Sequence, residues 1–172
     1  EYKAPNVFCG YYKDAKKTQE AFTADGWFKT GDKGELVDGY IKITGRIKDI
    51  IITSGGKNIS PENLENDLKF SPFISDAIIF GDGKKYLTAL IVPDQENLEK
   101  FAQQKNIHYL NFTSLCESNE INLLITKIVE RVNSKVSRVE QIKDFRVLGL
   151  VLNAEDEELT ATMKIKRNIL EK

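Results

Sequence analysis

Thr30-Gly31-Asp32 sets a carboxylate beside a glycine turn, where it can accept two hydrogen bonds from vicinal hydroxyls such as a ribose diol. An aspartate in a surface turn is also an ordinary occupant of such a triplet, so on its own it leaves both readings open. Gly45-Arg46-Ile47-Lys48-Asp49 adds a guanidinium whose planar fork suits a sugar or phosphate oxygen; a solvated, salt-bridged strand edge accounts for the same run. Ser54-Gly55-Gly56-Lys57-Asn58 looks like a phosphate-cradling loop but lacks the earlier glycine of G-x-x-x-x-G-K-[ST], which excludes a Walker-type nucleotide triphosphatase. Lys164, Lys166 and Arg167 form a basic cluster that, in isolation, is a solvated tail. His108 is the single histidine and has no nucleophile nearby in the sequence; it is read as a surface or partly packed residue, and no Ser/His/Asp or Cys/His system is supported.

The elements that must position these residues fit in 172 residues, about one domain, or one domain plus a short remnant of another. Hydrophobic residues make up 41% and charged residues 30%, the balance of a globular chain rather than a disordered or disulfide-stapled one. Twenty-five basic and twenty-six acidic side chains leave a formal charge of -1, so no global field draws in nucleic acid. Cys9 and Cys116 are far apart and outside any CxxC or Cys/His cluster, which points to free thiols and to no metal site. No apolar run reaches the roughly 18 to 20 residues of a membrane span, and the start at Glu1 carries neither an initiator methionine nor a signal segment, as expected of an excised piece.

Local patterns predict an α+β fold, with a small antiparallel hairpin region followed by a compact mixed sheet flanked by helices. Asp38-Gly39 between 35–37 and 40–44 signals a tight hairpin, because a primed turn needs positive φ. Residues 49–53 read as a β-branched strand stopped by Ser54-Gly55-Gly56. Ser60-Pro61 reads as a capping hydroxyl and a first-turn proline opening a helix to about Lys69. Residues 76–80 and 86–92 read as paired strands around Gly81-Asp82-Gly83, and Pro93-Asp94 opens a helix through about Gln104. Residues 106–119 carry no clear assignment. Ile121, Leu124, Ile125, Ile128, Val129, Val132 and Val136 mark one face of an amphipathic helix of roughly four turns, and a strand follows at about 145–150.

The order of the motifs says more than any one of them. Gly26-Trp27-Phe28-Lys29-Thr30-Gly31-Asp32, then the run from Gly45-Arg46 through Ser54-Gly55-Gly56-Lys57-Asn58-Ile59-Ser60-Pro61-Glu62 to Glu65, then Leu159-Thr160-Ala161-Thr162-Met163-Lys164, together resemble the adenylate-forming superfamily of acyl-CoA synthetases, adenylation domains and luciferases. The double glycine before Lys57-Asn58 and the Leu-Thr-x-Thr-Met-Lys ending are most similar to long-chain fatty acyl-CoA ligases. The resemblance spans nearly the whole chain, strongest over residues 22–98 and 141–170.

That resemblance implies a two-step ligase in which a fatty acid and ATP give acyl-adenylate and pyrophosphate, and the thiol of coenzyme A then displaces AMP. It implies ATP, Mg2+ and coenzyme A for the full-length enzyme, with their main sites largely outside this chain. Asp32 matches the residue that holds the ribose hydroxyls, and Arg46 the one that contacts the same ribose and nearby phosphate. Lys48 matches the hinge, where many relatives carry Asp. Gly55 and Gly56 match the loop lining the pantetheine channel, with Lys57 beside them in the cofactor-binding set. Lys164 matches the catalytic lysine that bridges the substrate carboxylate and the α-phosphate; a fixed ammonium there offsets the repulsion of two approaching anions.

Thr162-Met163 replaces the family's usual Ser-Gly before the lysine, and Ala161 its proline. The Ser/Thr/Gly-rich phosphate loop and the acyl pocket of the family are not found in this sequence. The expected organisation is therefore a remnant of the large N-terminal adenylate-binding domain at residues 1–47 and the mobile C-terminal lid domain at residues 48–172, inactive without the missing N-terminal domain. Expected partners are fatty acid, ATP, coenzyme A and that domain, with no nucleic acid and no transmembrane segment. Expected localisation is cytoplasmic, with peripheral membrane contact left open. Alternative readings are an acyl-AMP ligase serving a carrier protein and a non-catalytic binding module that keeps the fold.

Overall fold

The computed structural model describes residues 1–149 and divides into two compact units, Glu1–Ile50 and the chain from Ile51 onward. The first unit opens with helix α1 (Ala15–Ala21), capped by the Asp14 carboxylate on the amide of Lys17 at 2.9 Å. None of its seven residues is buried, and so short a helix leaves little periodicity to read in the sequence. Phe8, Tyr11, Phe22 and Phe28 gather into an aromatic cluster of edge-to-face and tilted pairs with ring centroids 5.1 to 5.7 Å apart.

Strands β1 (Asp32–Val37) and β2 (Tyr40–Arg46) form the expected antiparallel hairpin, Val37 facing Tyr40. Asp38 and Gly39 both take positive φ, 50° and 82°, as a two-residue primed turn requires. A register shift at Lys33/Gly34 bends the ladder just before it ends on the pair Asp32 and Arg46. A single 3-10 turn (Ile47–Asp49) follows.

In the second unit, the five-residue strand expected at 49–53 is only β3 (Ile51–Ile52), paired antiparallel with β4 (Asn58–Ile59). Residue 49 closes the 3-10 turn, and at Thr53 the chain already bends into the loop, so β-branched composition outlasts pairing. Helix α2 (Pro61–Lys69) starts with proline in its first turn as expected, but the Ser60 hydroxyl at the N-cap does not bond to the helix amides. Leu64 and Leu68 bury the helix against the sheet.

The sheet has the order β5-β6-β7, with β5 (Ile74–Phe80) antiparallel and β7 (Ile142–Val147) parallel to the central strand β6 (Leu87–Pro93). A parallel neighbour needs a long crossover, and α3 (Gln95–Lys105), α4 (Phe112–Cys116) and α5 (Asn119–Asn133) supply it. Pro93 ends β6 rather than opening α3, whose cap is the Asp94 carboxylate on the amide of Asn97 at 2.9 Å. Asn106 closes α3 in the left-handed conformation, φ 54°. Helix α4 falls in the unassigned stretch; a capping box between Asn111 and Ser114 starts it, and five residues are too few for a periodic signal.

Helix α5 buries Ile121, Ile125, Ile128, Val129 and Val132 on one face. Val136 lies past its C-cap, Ser134, yet still packs against the core. The last strand ends at Val147 and begins at Ile142, three residues earlier than the apolar pattern indicated, because Asn133 accepts from the amide of Ile142 at 2.8 Å and sets the entry. Among the described residues no helix is long and apolar enough to cross a membrane.

Candidate functional site

In the first unit, the hairpin register makes Asp32 and Arg46 direct cross-strand partners, and the Arg46 Nε lies 3.6 Å from the Asp32 carboxylate. Thus the fold brings together two candidate residues separated by 14 positions in the sequence. Thr30 Oγ1 accepts from the amide of Asp32 at 3.1 Å, and the amide of Ile47 donates to the carbonyl of Gly31 at 2.8 Å, so the chain beside each member of the pair is tied down. The Arg46 side chain is 68% exposed and that of Asp32 28%. An ion pair this open is worth at most about 1 kcal/mol, so either partner can turn to a ligand at little cost.

Lys48 is exposed within the 3-10 turn Ile47–Asp49, immediately ahead of the boundary at which the two compact units part.

In the second unit, Thr53 closes the loop that carries the two glycines. Its amide donates to the carbonyl of Lys57 at 3.1 Å, while its hydroxyl accepts from the amide of Lys57 at 3.2 Å. Gly56 donates to the carbonyl of Thr53 at 2.8 Å and takes φ +75°, a conformation that favours glycine. A Cβ on Gly56 would meet nothing within 4 Å and one on Gly55 only the Thr53 hydroxyl at 4.0 Å, so open space flanks an exposed backbone. The Lys57 ammonium stands 3.9 Å from the Glu140 carboxylate. Glu140 is in turn fixed by the Ser137 hydroxyl at 2.6 Å and the Ser137 amide at 3.1 Å, and the hydroxyl bond is the main cause that holds its carboxyl below the usual range.

Three contributors carried no sequence signal strong enough to select them: Thr53, Glu140 and Asp82. Asp82 sits in the glycine turn between β5 and β6 and accepts from the amide of Ile52 at 2.9 Å. The same turn borders an open groove of about 700 Å3 lined by Lys84, Lys85 and Tyr86 among others. His108 is exposed, Cys9 is an exposed free thiol and Cys116 a buried one. Lys164 and the whole segment from Leu159 to Glu171 lie outside the described residues.

Residues 48–172 match the family model described as AMP-binding enzyme C-terminal domain. The chain is 42% identical over 166 residues to the long-chain-fatty-acid–CoA ligase FadD15 of Mycobacterium tuberculosis, covering 95% of this chain and 28% of that protein. It is 36% identical over 169 residues to human long-chain-fatty-acid–CoA ligase 1, covering 96% of this chain and 24% of the relative. The chain therefore spans about a quarter of the length of the curated relatives it matches. Among solved structures, the adenylation domain of a carboxylate reductase from Mycobacterium chelonae superposes with a TM-score of 0.76 at 26% identity, over 98% of this chain and 25% of that one. The AMP complex of O-succinylbenzoate coenzyme A synthetase from Bacillus subtilis gives a TM-score of 0.63 at 25% identity, over 99% of this chain and 29% of that one.

Proposed function

The chain belongs to the family of AMP-binding enzyme C-terminal domains, and from that premise we propose that it is the C-terminal part of an AMP-forming long-chain fatty acid–CoA ligase. In this reading ATP supplies the adenylyl group and coenzyme A the thiol, and the residues of this chain bind and orient them. The observation that carries the reading is the Asp32–Arg46 pair, a carboxylate and a guanidinium held side by side at the end of one hairpin. The carboxylate can accept from both ribose hydroxyls while the guanidinium donates to the ribose and the adjacent phosphate.

Residues 1–47 are read as the end of a preceding adenylate-binding domain and residues 48–172 as the mobile domain that follows it, with Lys48 as the hinge between them. Lys164 bridges the fatty acid carboxylate and the α-phosphate during adenylation. The exposed backbone of Gly55 and Gly56, with Lys57 beside it, lines the path of the pantetheine thiol. Among the described residues no group of three or more His, Cys, Asp or Glu gathers to hold a metal, and none is assigned to Mg2+.

The test uses the full-length protein and measures its two half-reactions apart. Lys164→Ala is expected to lower fatty-acid-dependent ATP–pyrophosphate exchange by about a hundredfold or more, on the order of 3 to 4 kcal/mol, while leaving thioester formation from supplied acyl-adenylate unchanged. Equal loss in both would overturn a role for Lys164 specific to adenylation. Transfer to a carrier protein with no transfer to free coenzyme A would replace the ligase by an acyl-AMP ligase. The 172-residue chain alone is expected to form no acyl-CoA from ATP, coenzyme A and palmitate.

A further inference from the structure

The loop from Thr53 to Lys57 is closed on itself by Thr53, but the strands that carry it, β3 and β4, pair over only Ile51–Ile59 and Ile52–Asn58. Its other edge is held by the turn between β5 and β6. Asp82 Oδ1 accepts from the amide of Ile52 at 2.9 Å, the amide of Gly83 donates to the carbonyl of Ile52 at 2.8 Å, and the amide of Ser54 donates to the carbonyl of Lys84 at 2.9 Å. Both polar backbone groups of Ile52 are thereby satisfied by the turn.

The turn is itself rigidly placed. Lys84 donates to the carbonyl of Gly81 at 3.0 Å, and Gly83 takes φ +66°. A Cβ on Gly81 would meet Leu87 Cδ2 at 2.5 Å, and Leu87 is fully buried at the start of the central strand. Asp82 is exposed and forms no ion pair among the described residues, so its carboxylate adds nothing to the core. What it does is tie the approach to the glycine loop, by a charge-assisted hydrogen bond, to the sheet.

We propose that Asp82 is a positioning residue for thioester formation: by holding Ile52 it fixes the loop Thr53–Lys57 in the shape that receives the thiol of coenzyme A. The proposal rests on the ligase reading given above. Holding a binding segment in its productive shape before the ligand arrives lowers the ordering cost of binding, so its loss shows first in the KM for coenzyme A.

In the full-length enzyme, Asp82→Ala is expected to raise the KM for coenzyme A at least fivefold in the thioester half-reaction, with ATP–pyrophosphate exchange within twofold of wild type. Asp82→Asn keeps the Oδ1 acceptor and is expected to restore KM to within twofold. Asp94→Ala, which removes the cap of α3 in the same domain, serves as the stability control and is expected to lower Tm without moving that KM. Amide hydrogen exchange of the Asp82→Ala protein should show lost protection at Ile52 and Ser54. An unchanged KM in Asp82→Ala, or an equal rise in Asp94→Ala, overturns the positioning role while leaving the ligase reading intact. A wild-type enzyme that adenylates but forms no thioester with coenzyme A overturns both.

Discussion

The two compact units solve the burial problem in opposite ways. From Ile51 onward, α2, α3, α4 and α5 close over the sheet and bury Leu68, Ile79, Leu87, Ile91, Leu98, Ile121 and Ile125 completely or nearly so. Every buried hydrophobic side chain among the described residues belongs to this unit. The hairpin of the first unit instead leaves Leu36 74%, Tyr40 80% and Ile41 75% exposed, on strands whose alternation would suit a half-buried sheet. A two-stranded hairpin is marginal in water without a surface to pack on. A self-sufficient core therefore carries the glycine loop, whereas the Asp32–Arg46 pair sits at the end of a ribbon held chiefly by its ladder and its turn.

Truncation in the core of the second unit should have the largest effect. Leu98→Ala should cost about 2 to 5 kcal/mol, read from chemical denaturation, because a fully buried leucine leaves both lost transfer energy and a cavity. A cost below about 1 kcal/mol would show that the second unit is not the stable one. In the full-length protein, Asp32→Ala should weaken adenylation by roughly ten- to a hundredfold, about 1.5 to 3 kcal/mol for a charged hydrogen-bonding group, while the denaturation midpoint of the chain stays put. If the midpoint falls with activity, the pair is structural and the contrast between the units fails.

Cys116 sharpens the same contrast through pH. Burial pushes its thiol up from 9.0 to about 11. The native state thus keeps a proton that the unfolded chain gives up first, so the stability present below pH 9 is lost as pH rises through the window from 9 to about 11. A Cys116→Ala protein should show a flatter alkaline limb in that window. At pH 8, an alkylating reagent should label exposed Cys9 well before Cys116; equal labelling would mean that the second core opens readily. The smallest effect belongs to the hairpin surface. Ile41→Ala should change the stability of this chain by no more than about 0.5 kcal/mol, measured by thermal melting. A change as large as that of Leu98→Ala would mean that the ribbon is packed after all.

Legibility followed the range of the interaction. Asp38-Gly39, Pro61 and the stripe of α5 act through neighbours one to four residues away, and each could be read from its own segment. The short elements carry little signal: α1 starts on the Asp14 cap and α4 on the capping box of Asn111 and Ser114, residue types that are also common in turns. The strand is shorter than the composition of 49–53 predicts because β-branched residues state a preference for extended backbone and say nothing of where a partner strand stops. At the site, Asp32, Arg46, Gly55 and Gly56 stood out by residue type and order. Thr53 and Asp82 did not, since a threonine after isoleucines and an aspartate between glycines are ordinary until their acceptor atoms are placed.

Sequence alone determined the residue types that can do chemistry, their order along the chain, and the family to which that order belongs, because motif spacing is a property of the covalent chain. Only the tertiary structure decided that Asp32 faces Arg46 across a bulged ladder, that Ile52 is held by the turn 81–84 rather than by its own hairpin, and that Lys57 stands near Glu140. The first pairing follows from the register of its own hairpin; the other two join segments as much as 83 positions apart, counted from Lys57 to Glu140, and they exist because the core of the second unit holds those segments side by side.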